Sequence, residues 1–197
     1  MQKIIEKLIQ IGSKSNEGAL FNNPNPQGIE EQTKFIKSFI QKYKPKTIVE
    51  IGTNKAFFVL FVVSTLEDMN LITNIHTFDA ADFSELCVNE VKNNFPKHNI
   101  TFYYGNSKET FSRFNSNTPV DLTFVDGGHD YKSAASDIAN AIRINSSFIL
   151  LDDYKSDCKW CEVKNAVDDS LLFELYELVE STSNIDDRGM SLFKKKQ

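Results

Sequence analysis

The stretch TIVEIGTNKAFFVLFVVSTL, residues 47–66, decides the fold. Its first six residues are a short β-branched run that ends on Gly52, which reads as a strand closed by a tight turn. From about 55 to 68 the spacing reads as a helix, and Ala56 to Val63 is apolar on every side, as a helix buried against a sheet is. Downstream the same alternation recurs. Strand candidates NIHTFD (74–79), ITFYYG (100–105), VDLTFVD (120–126) and SFILLDD (147–153) are separated by helical segments near 82–95, 107–114, 131–143 and 162–172. Such alternation predicts an α/β fold, with right-handed crossovers, a parallel sheet and helices on both faces. The end of the chain differs. LYELVES (175–181) and GMSLF (189–193) are joined only by the short loop TSNIDDR, too short for a parallel crossover. The sheet is therefore expected to be mostly parallel and to finish with one antiparallel strand.

Upstream of residue 47, Ile4, Ile5, Leu8 and Ile11 have helical spacing. Residues 13–28 are rich in Ser, Asn, Pro and Gly and read as a loop. A second helix is predicted from Ile29 to about Tyr43, stopped by Pro45. The expected organisation is an N-terminal helical segment over 1–45 and an α/β domain over 46–197. The 197 residues suffice for one globular domain of this kind.

Composition excludes several roles. With 22 basic and 27 acidic residues the net charge is −5, the opposite of what binding to nucleic-acid phosphate requires. No apolar run approaches the roughly 20 residues of a membrane span. The first twelve residues carry Glu6 within their apolar stretch and no small-residue cleavage site, so no secretion signal is visible. Three cysteines do not make a disulfide scaffold. A cytoplasmic setting is expected, with the N-terminal helices as candidate contacts in a homo-oligomer.

In open α/β sheets ligands bind at the carboxyl ends of the strands. Here those ends carry Glu50-Ile51-Gly52-Thr53, Asp79, Gly105-Asn106-Ser107, Asp126-Gly127-Gly128-His129 and Asp152-Asp153. Each alone also suits a turn or a helix N-cap; together, on one sheet edge, they outline a site. The first turn has a single glycine where a pyrophosphate cradle shows G-x-G-x-x-G, which argues against a dinucleotide and an NAD-linked dehydrogenase. An acid in the strand, one glycine and an acid closing the next strand suit a ligand with an amino acid portion and a ribose, whose hydroxyls Asp79 could accept.

Through TIVEIGT (47–53), DLTFVDGGHDY (121–131), ILLDDY (149–154) and VKNAVDD (163–169), the chain resembles the class I S-adenosylmethionine-dependent methyltransferases, a Rossmann-like fold. It looks most like the small-molecule O-methyltransferases of macrocin O-methyltransferase type, over roughly 26–194. The resemblance implies that Glu50, Gly52 and Thr53 back the methionine part of the cofactor, that Asp79 holds the ribose, and that Asn106 and Ser107 border the adenine. It places Asp126 as the acid ending strand four. The family's first motif commonly reads G-T-G-x-G; here Asn54 and Ala56 replace the later glycines, and Asn tolerates a positive φ better than most residues.

Three further readings follow. Asp126, Asp152 and Asp153 could give oxygen ligands to Mg²⁺, which would lower the pKa of a substrate hydroxyl; helix capping is the simpler alternative. His129 could take the hydroxyl proton, or merely bond a loop backbone. Cys158-Lys159-Trp160-Cys161 lacks the other two ligands of a structural zinc site, and a redox role or plain packing are alternatives. The resemblance puts this loop over the substrate pocket, with Trp160 against a flat or sugar-like substrate, and makes the loop around Phe21 a candidate lid. His76 and His98 look structural, and Phe57, Phe58, Phe61, Phe102, Phe124 and Phe148 look like core. Lys194 to Lys196 read as a solvated tail. The expected activity is methylation of a hydroxylated small molecule; the alternative is a protein of the same fold that binds S-adenosylmethionine or a nucleoside without transfer.

Overall fold

All five residues of β1 (Thr47–Ile51) are buried, as a β-branched run without polar alternation specifies for the middle of a parallel sheet. The computed structural model describes residues 1–12, 26–154, 162–182 and 189–197. β1 lies between β2 (Asn74–Asp79) and β4 (Leu122–Val125), parallel to both. Outside these come β3 (Asn99–Tyr104) and β5 (Phe148–Leu151), also parallel. β7 (Ser191–Lys195) then pairs antiparallel with β5 and with β6 (Tyr176–Ser181), so the order is β3-β2-β1-β4-β5-β7-β6. The strand order reverses between β1 and β4, which is where a ligand crevice is expected.

The helices divide by face. Residues of α1 (Gln2–Gly12), α2 (Pro26–Tyr43), α3 (Phe57–Asp68) and α4 (Asp82–Asn94) pack with Ile48, Ile75, Leu122 and Leu150. The other face carries Val49, Phe78, Val125 and Ile149 beneath α6 (Tyr131–Arg143), α7 (Val163–Asp168) and α8 (Leu172–Leu175). α3 buries Phe58, Val59, Leu60, Val62, Val63 and Leu66, which accounts for its apolar circumference. Phe58 stacks on Phe124 with centroids 4.4 Å apart.

Where boundaries moved, side chains explain it. The helix expected over 107–114 is only α5 (Ser107–Thr110). Arg143 donates to the carbonyls of Phe111 and Phe114, both at 2.9 Å, and so holds that segment in a non-helical path. The helix expected over 162–172 is two helices. The Ser170 hydroxyl donates to the Val167 carbonyl and accepts from the Leu172 amide, ending α7 and opening α8. β7 begins two residues late because Thr182 and Met190 close the hairpin through their backbone and the Thr182 hydroxyl. The lysines expected to be a solvated tail belong to the sheet: Lys194 and Lys195 pair with β6, and the Lys196 amide donates to the Leu175 carbonyl at 2.9 Å.

Candidate functional site

The turn after β1 is held from three sides. The Gly52 amide donates to the Phe78 carbonyl at 2.9 Å. Gly52 has φ +92°, and a Cβ there would lie 1.8 Å from the Asp126 carbonyl oxygen, so only glycine lets the ends of β1 and β4 touch. Asn54 and Ala56 also take left-handed backbone, with φ 45° and 57°. The Asn54 amide donates to Asp79 Oδ2 at 2.5 Å, and the Ala81 amide to Asp79 Oδ1 at 2.8 Å. Asp79 thus holds the turn through Oδ2 and its own loop before α4 through Oδ1, and each oxygen keeps a second lone pair.

Glu50 is buried in the middle of the sheet, opposite Thr77 in the register. The Thr77 hydroxyl donates to Glu50 Oε2 and is itself bonded to the Thr53 hydroxyl. Burial raises the Glu50 pKa well above the ordinary carboxylate range; the Thr77 bond opposes this and the Asp79 charge adds to it. A cation beside Glu50 would restore its charge.

Across the switch point the ends of β4 and β5 bring together Asp126, His129, Asp152 and Asp153. His129 Nδ1 stands 3.1 Å from Asp153 Oδ2, and His129 Nε2 stands 3.9 Å from Asp126 Oδ1. Burial raises the Asp126 pKa strongly, with the Asp152 and Asp153 charges adding to it. Burial, then the Asp153 charge, pushes Asp152 up to about 7, against the bond it shares with Asp126. Asp152 Oδ1 and Asp153 Oδ1 are buried without a hydrogen-bond partner. Asp153 also has φ 58°, a costly conformation for a non-glycine residue that recurs at functional sites. The loop is fixed from outside: the Glu162 amide donates to the His129 carbonyl at 2.9 Å, and Glu162 Oε2 accepts from the Tyr131 amide at 3.0 Å.

Glu50, Gly52, Thr53, Asp79, Asn106, Ser107, Asp126, His129, Asp152 and Asp153 all stand at the carboxyl edge of the sheet. Asn106 is the helix N-cap that its residue type also allowed, its Oδ1 accepting from the Lys108 amide at 3.0 Å. Among the described residues no group of three or more His, Cys, Asp or Glu side chains is arranged to hold a metal ion. Phe21, Cys158, Trp160 and Cys161 lie outside the described residues. His76 shares a hydrogen bond with the Tyr103 hydroxyl at 3.0 Å, and burial lowers its pKa. The His98 side chain is buried 3.4 Å from Glu67.

Three residues escaped the sequence reading. Thr77 is the hydroxyl that serves Glu50, recognisable only from the β1–β2 register. Lys55 is buried, and a Cβ at Gly12 would lie 2.3 Å from its Cε, so α1 rests on its stem beside the turn. Asp137, inside α6, is buried with both oxygens unpartnered.

A family model described as a methyltransferase domain matches residues 49–154, more than half of the chain. No curated protein matches the sequence. Several solved structures share the fold at low identity. The O-methyltransferase TomG of Streptomyces achromogenes, solved with S-adenosylmethionine, is 15% identical with a TM-score of 0.73 over 99% of this chain and 90% of its own. An O-methyltransferase from Bacillus cereus, solved with S-adenosylhomocysteine, is 15% identical with a TM-score of 0.69 over 98% and 91%. The N-methyltransferase NodS of Bradyrhizobium japonicum is 12% identical with a TM-score of 0.66 over 98% and 99%. No described helix is long and apolar enough to cross a membrane.

Proposed function

This chain belongs to the methyltransferase-domain family, and from that premise we propose that it transfers the methyl group of S-adenosylmethionine to a hydroxyl oxygen of a small molecule. The observation that carries the proposal is the contact of Gly52 with the Asp126 main chain. It brings the turn held by Asp79 against the main chain that leads from Asp126 to His129, which supports reading them as one site. Glu50, Gly52 and Thr53 would receive the methionine end, with Glu50 facing its ammonium. Asp79 would take the ribose hydroxyls on its free lone pairs, and Asn106 and Ser107 would border the adenine.

In the transfer, a substrate oxygen lone pair forms the bond to the methyl carbon. The carbon–sulfur bond breaks, and its electron pair stays on sulfur, leaving S-adenosylhomocysteine. The hydroxyl proton goes to His129 Nε2. Asp153 Oδ2 lies 3.1 Å from Nδ1, and its charge would favour a proton on that nitrogen, leaving Nε2 able to accept. Positioning, and the polar handling of the developing oxyanion, would supply most of the acceleration. Mg²⁺ belongs to the same reading: Asp126, Asp152 and Asp153, which do not form a ready-made ligand set, would have to converge on it. What supports it is chemical, since all are oxygen donors and two buried oxygens lack partners. When bound, it would lower the pKa of the acceptor hydroxyl.

Incubation of the protein with S-adenosylmethionine and a panel of hydroxylated small molecules, with Mg²⁺ or with a chelator, tests this. Acceptor-dependent release of S-adenosylhomocysteine supports transfer, and its loss with chelator supports the metal. A second reading is favoured by Asn54 and Ala56, whose side chains stand where the related turn has glycines. That reading is a binder without transfer. It would be supported by tight S-adenosylmethionine binding with no methylated product from any acceptor.

A further inference from the structure

Asp137 lies in the middle of α6 with 0% of its surface exposed, and neither carboxylate oxygen has a hydrogen-bond partner. Burial pushes its pKa up to about 6; the Ser107 hydroxyl and then the Lys108 charge oppose this, and Asp130 adds to it. An acid so placed costs stability, and aspartate is also a poor helix former. The other buried α6 residues, Ala134, Ile138, Asn140 and Ala141, include no cation that would justify it. What the carboxylate lies against is the site. A Cβ at Gly127 would be 2.8 Å from Asp137 Oδ2 and 3.0 Å from Ile51 Cγ2, so the turn after β4 sits directly on this side chain. Ser107, the hydroxyl that most eases its charge, opens α5 after β3.

One buried acid therefore stands directly behind the turn after β4, with Ser107 of the turn after β3 near enough to ease its charge. We propose that Asp137 is a positioning residue for the cofactor site, acting through the Gly127 turn and the Ser107 hydroxyl beside it. The proposal rests on the cofactor reading above. Asp137 itself touches no ligand, since no part of it reaches the surface.

The test is calorimetric titration of the 197-residue chain with S-adenosylhomocysteine, with melting curves at about pH 8. Asp137→Ala is expected to bind roughly tenfold more weakly, as loss of an orienting partner commonly does. Ser107→Ala should also weaken binding, and the double variant should be no worse than the poorer single, because both act along one path. Asp137→Asn keeps an acceptor; it should stay within about threefold of wild type and melt higher, since it removes a buried charge. Wild-type affinity in folded Asp137→Ala would overturn the proposal. So would additive losses in the double variant. Should Asp137→Ala fail to fold, Asp137→Leu, of similar volume and unable to accept a hydrogen bond, decides: binding weakened about tenfold supports the proposal, and wild-type affinity overturns it. Absence of binding by the wild-type chain defeats the cofactor reading itself, whereas binding that no variant alters defeats only the role of Asp137.

Discussion

The two sides of the switch point treat their acids in opposite ways. On the β1–β2 side, Glu50 accepts from Thr77, and Asp79 accepts from two backbone amides. On the β4–β5 side, Asp126, Asp152 and Asp153 crowd one another, and Asp152 Oδ1, Asp153 Oδ1 and both Asp137 oxygens are buried without donors. The first side gives each of its acids a hydrogen-bond donor, although burial still raises the Glu50 pKa. The second holds like charges in a dry setting, so a proton, a cation or a polar substrate would relieve it. Binding and chemistry are expected to divide along this line.

Breaking the first side should have the largest effect. Gly52→Val would drive a branched side chain into the Asp126 carbonyl at a positive φ; a loss of more than about 3 kcal/mol is expected, seen as a melting temperature lower by roughly 10 °C or non-folding protein. Asp79→Ala would free the Asn54 and Ala56 turn from its clamp. The charge-assisted bond to the Asn54 amide is worth about 1.5–3 kcal/mol, so S-adenosylhomocysteine affinity should fall by tenfold or more. An unchanged titration would show that the turn holds its shape without the clamp.

The crowded side should respond with the opposite sign. Asp152 has a folded pKa near 7, above its unfolded value, so the stability it contributes is full below about pH 4 and is lost as pH rises to about 7. Asp152→Asn is expected to flatten that decline and to gain on the order of 2 kcal/mol near pH 8, while methyl transfer drops. Melting curves from pH 4 to about 8 check the stability half, and product assays the other. The smallest expected effect is Thr77→Val, which removes one donor from Glu50 and costs about 1 kcal/mol by denaturant unfolding.

The same division explains what the sequence conveyed. The strand–helix alternation and the short final hairpin specified a mostly parallel sheet and its antiparallel finish, because they depend on local periodicity and loop length; the strand order came only with the fold. Asn54 carried the left-handed turn in its own residue type. The site acids were visible as residues that end strands. Their states were not: the Glu50–Thr77 bond depends on the β1–β2 register, and the raised Asp152 pKa depends on how closely β4 and β5 bring their ends. Asp137 looked like any helical acid, since only the fold reveals that it is buried behind Gly127. The helix endings at Phe111 and Ser170 were lost for a related reason, being set by Arg143 from another element and by one serine hydroxyl.

The most direct test of the central claim is calorimetric titration of the wild-type chain and of Asp79→Ala with S-adenosylmethionine and S-adenosylhomocysteine. Micromolar binding by the wild-type chain, weakened at least about tenfold in Asp79→Ala, is the expected result. Failure of the folded wild-type chain to bind either ligand would contradict the account.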